Sequence, residues 1–452
     1  MLDINLLKND ASAREKLLKR NPNTDIDKII ELDTQLKKER QNNETLRSDR
    51  NIGTAKISRL MQTDKDEAHR LVAAMKELGN GIERGDKKIA KLETQLNSLL
   101  SDMPNIPLDG VAFGGKESNK IVTTFGTKQN FTFKPKDHVE LCTSLGLVDY
   151  ERGTRMSGSG HWVYTGNGAL LEWALLNYFV DFHMKNNYKF IMPPHLLNYE
   201  SGFAAGQFPR FADDVFFVQN GHSKGKLDPK TSKFLAPTSE TALINMHRGE
   251  TIPSENLPIK YFGYSPCYRG EPGGYGASER GTIRGHQFNK IEMFIFCNAW
   301  ESEKLFEELV KNAEELIKGL GLHFVTVALA AGDMSSAMAK TYDTEVWIPS
   351  INGYKEVSSI SNATGFQARR ANIRAKSTTH ECIDGICKKS TSTDFVHTLN
   401  ASGLATSRLI PAIVEQFQNE DGSVTVPEVL HKYMHGVTKF NFFDIRSHQS
   451  EK

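Results

Sequence analysis

Apolar residues recur in alternating steps of three and four along two stretches of the first hundred positions. One track runs Ile29, Leu32, Leu36, Leu46, Ile57 and Leu60, broken by Glu39, Asn43, Arg50 and Gly53. The second is cleaner: Leu71, Met75, Leu78, Ile82, Gly85, Ile89, Leu92, Leu96 and Leu99. Such steps keep one stripe of a helix apolar and predict two helices packed as a coiled coil. The polar stretch Thr63-Asp64-Lys65-Asp66 predicts the reversal, and so an antiparallel hairpin. At the α-helical rise each arm is roughly 50 Å long. Gly53, Gly79, Gly81 and Gly85 predict weak spots near mid-arm. Met103-Pro104-Asn105-Ile106-Pro107 closes the second helix and opens a linker, because proline cannot donate to the helical ladder.

From about Gly110 the pattern becomes mixed. The spacing predicts a helix over Gly168 to Lys185, a strand running into Ile191 ahead of Pro193-Pro194, a helix over Glu301 to Leu320 and another over Ser402 to Gln418. Gln219 to Ser232 reads as a polar surface loop. Between Ser265 and Met293, Tyr268-Arg269-Gly270-Glu271 leads into a glycine-rich turn that returns as Arg284-Gly285-His286-Gln287-Phe288. Phe288, Ile291, Met293 and Ile295 are apolar among polar neighbours, so the return reads as a strand and the whole as a hairpin. Its two arms carry guanidinium forks suited to phosphate oxygens, a carboxylate, and a ring on which a purine can stack.

Composition narrows the classes. A chain of 452 residues is long enough for two or three domains and a large core. A net charge of +1 excludes a generally basic nucleic-acid coat but not a local basic face. Five scattered cysteines (Cys142, Cys267, Cys297, Cys382, Cys387) predict reduced thiols; Cys382 and Cys387 lack the second pair that a zinc site needs. No apolar run is long enough to cross a bilayer, and the N-terminus has neither a secretory core nor a transit-peptide composition. A cytoplasmic location is expected.

The hairpin resembles the second signature motif of class II aminoacyl-tRNA synthetases, and in detail that of the seryl-tRNA synthetases. Arg269-Gly270-Glu271 stands at their Arg-x-Glu, Arg284 to Phe288 at Arg-x-His-Gln-Phe, and Lys290 to Glu292 at Lys-[Val/Ile]-Glu. Glu356-Val357-Ser358-Ser359-Ile360-Ser361-Asn362 matches Glu-[Val/Ile]-Ser-Ser-x-Ser-Asn, with Asp343, Glu345 and Trp347 completing an upstream family pattern. Gly403-Leu404-Ala405-Thr406-Ser407-Arg408 resembles the third motif, and the order helix, strand, Pro193-Pro194 the first, which forms the dimer interface in that family.

The resemblance implies an α+β fold: an antiparallel sheet flanked by helices, preceded by a long antiparallel coiled-coil arm. Residues 1–107 would form a tRNA-binding domain with its arm over about 28–101, and 108–452 the catalytic domain. It also implies ATP-dependent activation of serine, transfer to serine tRNA, and a homodimer. Arg269 and Arg408 are the catalytic candidates. ATP would be held by Arg269, Gly270, Glu271, Arg284, Gly285, Phe288, Glu356, Val357, Ser358, Ser359 and Arg408. Serine would be held by Thr238, Ser239, Glu240, Arg269, Glu292, Asn400 and Ser402. Glu356 and Ser359 are hard oxygen donors suited to Mg²⁺.

The residues alone leave other readings open. Thr238 or Ser239 also suits the N-cap of a helix through Ala242 to Met246. On pattern alone the arm fits a dimerisation coiled coil or a stalk; the resemblance assigns it to the long variable arm of tRNA. Lys37, Lys38, Arg40, Arg47, Arg50, Lys56, Arg59, Arg70 and Lys76 lie off its seam as candidate phosphate contacts. The chain departs from the family pattern at Gly270, Pro272, Gly273, Thr241, Gly285, Ala363 and Gly365, none of which removes a charged group. Two further classes stay open: a serine-activating paralogue, serving a metabolite pathway or as an inhibitor-insensitive backup, which the Gly270 to Gly273 turn motivates, and a non-catalytic RNA-binding or regulatory homologue, against which the intact Arg269, Glu271, Glu292, Glu356 and Arg408 argue.

Overall fold

The computed structural model describes residues 1–219, 228, 231–271, 279–383 and 386–442, with the side chains of 379–389 left out. Most of the expected 219–232 loop, Pro272, Gly273 and the side chains of Cys382 and Cys387 therefore lie outside the described residues. The remaining cysteines, Cys142, Cys267 and Cys297, are free and buried. The chain divides into two compact units, Met1–Ile106 and Pro107–Lys452.

In the first unit, α1 (Ile26–Thr63) and α2 (Lys65–Asp102) are 38 residues each, about 57 Å at the helical rise. One residue, Asp64, makes the reversal. Its N–H closes on the Leu60 carbonyl at 2.7 Å, and its carboxylate accepts from the Glu67 N–H at 3.1 Å, capping α2. The seam buries Ile29, Leu32 and Leu36 against a stripe that includes Ile82, Leu92 and Leu96.

Two expectations for the arm need correction. The seam ends on Leu100, 3% exposed, while Leu99 is turned outward. An α-helix drifts off a strict heptad, and the step of four after Leu96 follows that drift. Asn43 and Gly53, expected as breaks, are buried in the seam. Asn43 donates to Asp86 at 2.6 Å, and the absence of a side chain at Gly85 leaves room for it: a Cβ there would lie 2.8 Å from Asn43 Oδ1. The small residues are thus points of close approach.

The second unit is built on an eight-stranded sheet. Its strands are β1 (Lys120–Phe125), β2 (Lys189–Ile191), β3 (Ile259–Tyr268), β4 (Gln287–Cys297), β5 (Phe324–Ala328), β6 (Lys340–Ile348), β7 (Gly353–Thr364) and β8 (His397–Ala405). The order is β1-β5-β6-β7-β8-β4-β3-β2, antiparallel except for the β2–β3 pair. One face of the sheet is covered by α3 (Asn167–Lys185), α6 (Ser302–Gly319) and α8 (Thr406–Gln416), whose apolar residues share the main core with it. In α6, Leu305, Phe306, Leu309, Ala313, Leu316 and Ile317 are buried at the spacing that puts them on one face. Among the described residues no helix is long and apolar enough to cross a membrane.

The last predicted helix begins four residues later than its pattern suggests. Residues 398–404 are all buried in the centre of the sheet as β8, and Thr406 opens α8. Small and apolar residues flanked by two strands make a central strand, and no period in so short a run distinguishes that from a first helical turn. Ser402 is consequently a strand residue and caps no helix. Pro411 sits inside α8 and cannot donate to the Ser407 carbonyl. The Thr282 hydroxyl donates there instead, at 2.8 Å, which joins the returning arm of the hairpin to the start of α8.

Candidate active site

The hairpin forms as its pattern predicts. β3 and β4 pair in regular register from Phe296 opposite Ile259 to Gln287 opposite Tyr268. Arg269 follows directly, with its N–H on the His286 carbonyl at 3.0 Å. Its guanidinium lies 5.2 Å from the Phe288 ring centre and donates to the Pro237 carbonyl at 3.3 Å. Gly270 donates to the Asp214 carbonyl at 2.8 Å. Glu271 takes φ 41°, a left-handed conformation rare for residues with a side chain, and its carboxylate meets Arg284 Nε at 2.7 Å. Gly285 has a structural cause: a Cβ there would stand 2.1 Å from the Trp162 ring.

Arg269, Glu271, Arg284, Gly285, Phe288, Glu356, Val357, Ser402 and Arg408 line one small cavity of about 40 Å³. Arg408, in the first turn of α8, reaches back across the sheet. It donates to the Glu356 carbonyl at 2.8 Å and to the Ile283 carbonyl at 3.2 Å, with the Glu356 carboxylate at 3.6 Å. Each of the three arginines meets oxygens of the protein itself: the Pro237 carbonyl, the Glu271 carboxylate and the Glu356 carbonyl.

A larger cavity of about 530 Å³ shares Arg269, Glu271 and Arg284 and extends to Thr238 and Glu240. Glu240 opens the short helix α5 (Glu240–Leu243). Burial first, and then the charge of Glu292, pushes its carboxyl up to about 7, while Gln367, Lys290 and Arg269 draw it down. Glu292 is 1% exposed and is met by Lys290 Nζ at 2.5 Å, Asn400 Nδ2 at 3.0 Å and Ser402 Oγ at 3.4 Å. Two carboxylates in one polar cleft beside a cavity suit a small substrate carrying an ammonium and a hydroxyl.

Not every candidate faces the cleft. Ser239 is fully buried, caps no helix and donates to Ser265 Oγ at 2.7 Å, beneath the cavity wall. Thr238 Oγ1 accepts from the Glu240 N–H at 3.3 Å, while Ser239 holds the N-cap position without a side-chain cap bond. Ser358 is also fully buried and donates to the Ser402 carbonyl at 2.6 Å, tying β7 to β8.

Glu356 and Ser359 are three apart, and on a regular strand they would point to opposite faces. The register of β6 with β7 slips between Thr344 and Glu345, leaving Val357 as an extra residue. The bulge returns both to one face. Accordingly the Asp343 carboxyl accepts from Ser359 and is pushed well up, by burial and then by the charge of Glu356. Asp343 Oδ1 has no hydrogen-bond partner among the described residues. Closely set carboxylates and a hydroxyl on one face fit a hard divalent cation. Among the described residues no three His, Cys, Asp or Glu side chains close on a metal by themselves, so phosphate and water oxygens would complete the shell, as Mg²⁺ prefers.

Gln367 heads a family-like string running to Arg374 but received no role from the sequence. The far wall of the large cavity, formed by Gln207, Asp214, Ser335, Ala337 and Met338, was missed altogether. These come from loops and helix ends with no motif; only the fold places them there.

An antiparallel sheet with arginines just beyond the ends of two paired strands, a ring beside them and a long hairpin ahead is the architecture of a class II aminoacyl-tRNA synthetase. The family described as "tRNA synthetase class II core domain (G, H, P, S and T)" matches residues 224–417. "Seryl-tRNA synthetase N-terminal domain" matches residues 1–107. The chain is 49% identical to "Serine--tRNA ligase 2" of Clostridium acetobutylicum, over 96% of this chain and 99% of that one. It is 40% identical to the serine–tRNA ligase of Petrotoga mobilis over similar shares, 96% and 99%. Among solved structures, seryl-tRNA synthetase from Pyrococcus horikoshii complexed with ATP superposes with a TM-score of 0.85 at 29% identity, covering 98% of this chain and 100% of that one. The cytoplasmic serine–tRNA ligase of Naegleria fowleri in complex with AMP gives 0.82 at 28% identity, over 98% and 99%. The chain belongs to the seryl-tRNA synthetase family.

Proposed function

We infer that this chain is a serine–tRNA ligase. The serine carboxylate oxygen attacks the α-phosphorus of ATP, the bond to the bridging oxygen of the β-phosphate breaks, and pyrophosphate leaves with seryl-adenylate retained. A terminal ribose hydroxyl of serine tRNA then attacks the carbonyl carbon of seryl-adenylate, releasing AMP. No side chain becomes covalently attached; the rate comes from positioning and charge stabilisation.

One observation carries the reading: the triphosphate-type cations Arg269, Arg284 and Arg408 line the small cavity, and two of them continue into the space that holds Glu240. In this reading Phe288 packs on adenine and Glu271 accepts from its amino group. Arg269 and Arg408 neutralise the phosphates, with Arg284 beside them. Glu240 receives the serine ammonium, and Glu292, oriented by Lys290, Asn400 and Ser402, receives the hydroxyl. Alanine, lacking that hydroxyl, would forgo the bond to Glu292 and so bind less well. Mg²⁺ held by Glu356 and Ser359 would offset negative charge on the phosphates. The arm binds serine tRNA through backbone phosphates along its basic positions. Trp173, Met184, Phe190 and Met192 are exposed on α3 and just around β2, an apolar face that supports a homodimer.

Serine-dependent exchange of pyrophosphate into ATP tests the first step and charging of serine tRNA the second. Absence of the former with several amino acids would remove the assignment.

A further inference from the structure

Gln367 lies in the first turn of α7 (Phe366–Ala371) and is fully buried. Its amide nitrogen donates to Glu240 Oε1 at 2.6 Å and to the Ala205 carbonyl at 2.9 Å, at the end of α4 (Tyr199–Ala205). Its amide oxygen accepts from Thr398 Oγ1, on β8, at 2.7 Å. A flipped amide would set its oxygen against a carboxylate and a carbonyl, two acceptors facing an acceptor, so the network admits one orientation. Four elements thus converge on one side chain, and its amide N–H is aimed at a carboxylate in the cavity wall.

We propose that Gln367 is a positioning residue for serine activation: it holds one oxygen of Glu240 so that the other faces the substrate ammonium, and Thr398 fixes the amide that does so. The proposal rests on the reading of the cleft as a serine-activating site. It separates Gln367 from a plain packing role, because a group acting through Glu240 affects serine and leaves ATP alone. The charges facing Glu240 are Glu292 and Lys290 from β4 and Arg269 beyond β3. Burial and Glu292 raise its carboxyl, and the Gln367 donor opposes them. Without that donor the carboxyl protonates at higher pH, and a protonated carboxyl no longer attracts an ammonium.

Pyrophosphate exchange is to be measured against serine and against ATP, from about pH 6 to 9, for the wild type, Gln367→Met and Thr398→Val. Loss of a hydrogen bond to a charged group predicts a serine KM about tenfold higher in Gln367→Met, with the ATP KM within about twofold and kcat little changed. The pH below which the serine KM climbs should move upward. Thr398→Val should shift both quantities in the same direction, by about two- to threefold in KM. An unchanged serine KM in both variants overturns the proposal. So does a parallel rise in both KM values with an unmoved pH limb, which a structural role alone would produce. If Gln367→Met does not fold, Thr398→Val decides by the same criteria. A wild type without serine-dependent exchange overturns the synthetase reading and this proposal together; an active wild type with indifferent variants overturns only the proposal.

Discussion

In the arm, Arg40 meets Glu93 at 2.6 Å and Lys88 meets Glu39 at 2.6 Å, with the arginine and lysine heads more than half exposed. In the cleft, Lys290 meets Glu292 at 2.5 Å with side chains 7% and 1% exposed. The distances are alike and the consequences differ. Water screens the arm pairs, which are worth roughly 0–1 kcal/mol each and leave the cations free to change partners. The cleft groups have given up hydration, so each depends on a specific partner, and removing one strands the other. The arm is adaptable because its charges are wet. The cleft is selective because its charges are dry.

The largest expected effect tests the cleft. Arg269→Ala should lower serine-dependent pyrophosphate exchange by a factor on the order of 10³, with a thermal midpoint close to wild type. Exchange at the wild-type rate would dissolve the contrast.

Glu172 tests whether dryness alone explains the cleft's behaviour. It sits in the core away from both cavities, held by Thr406 Oγ1 at 2.5 Å and Asn289 Nδ2 at 2.8 Å, and burial pushes it up to about 7. A carboxyl raised in the folded state adds stability at low pH that disappears as pH rises from its unfolded value toward 7. Glu172 should account for on the order of 3 kcal/mol of the stability that denaturant unfolding of the wild type loses over that window, and Glu172→Gln should make the slope shallower by that share. Equal slopes would show that the group is solvated.

Removing residues 30–100 should leave pyrophosphate exchange within about twofold and reduce charging of serine tRNA by on the order of 100-fold, increasingly insensitive to salt. Full charging by the shortened chain would give the arm another task. The smallest effect belongs to Arg40→Ala. Its thermal midpoint should move by about 1 °C or less, because an exposed pair contributes little.

How much of this was legible differs between the regions for the same physical reason. The arm is nearly all local: a 3.6-residue period, an aspartate at the reversal and flanking prolines place both helices without reference to anything distant. The hairpin strand with Phe288 and Glu292 was legible too, since period two puts both on one face and the register with β3 is regular. Ser402 was misplaced in a helix because a buried central strand and a helix start share small apolar residues. The direction of Ser239 was not legible, because a family string names positions and not directions; its hydroxyl turns under the wall onto Ser265.

The order of residues by itself determined the arm, its turning point, the arginine-bearing hairpin and the chemical kinds of group available, because periodicity, capping and turn chemistry act between near neighbours. Only the tertiary structure decided which groups meet. The bulge at Val357 that aligns Glu356 with Ser359, the Thr282 hydroxyl that takes the carbonyl freed by Pro411, and the amide of Gln367 set against Glu240 all join residues across element boundaries. Such contacts depend on strand register and on which side of the sheet a side chain leaves, and both are settled by burying the core as a whole.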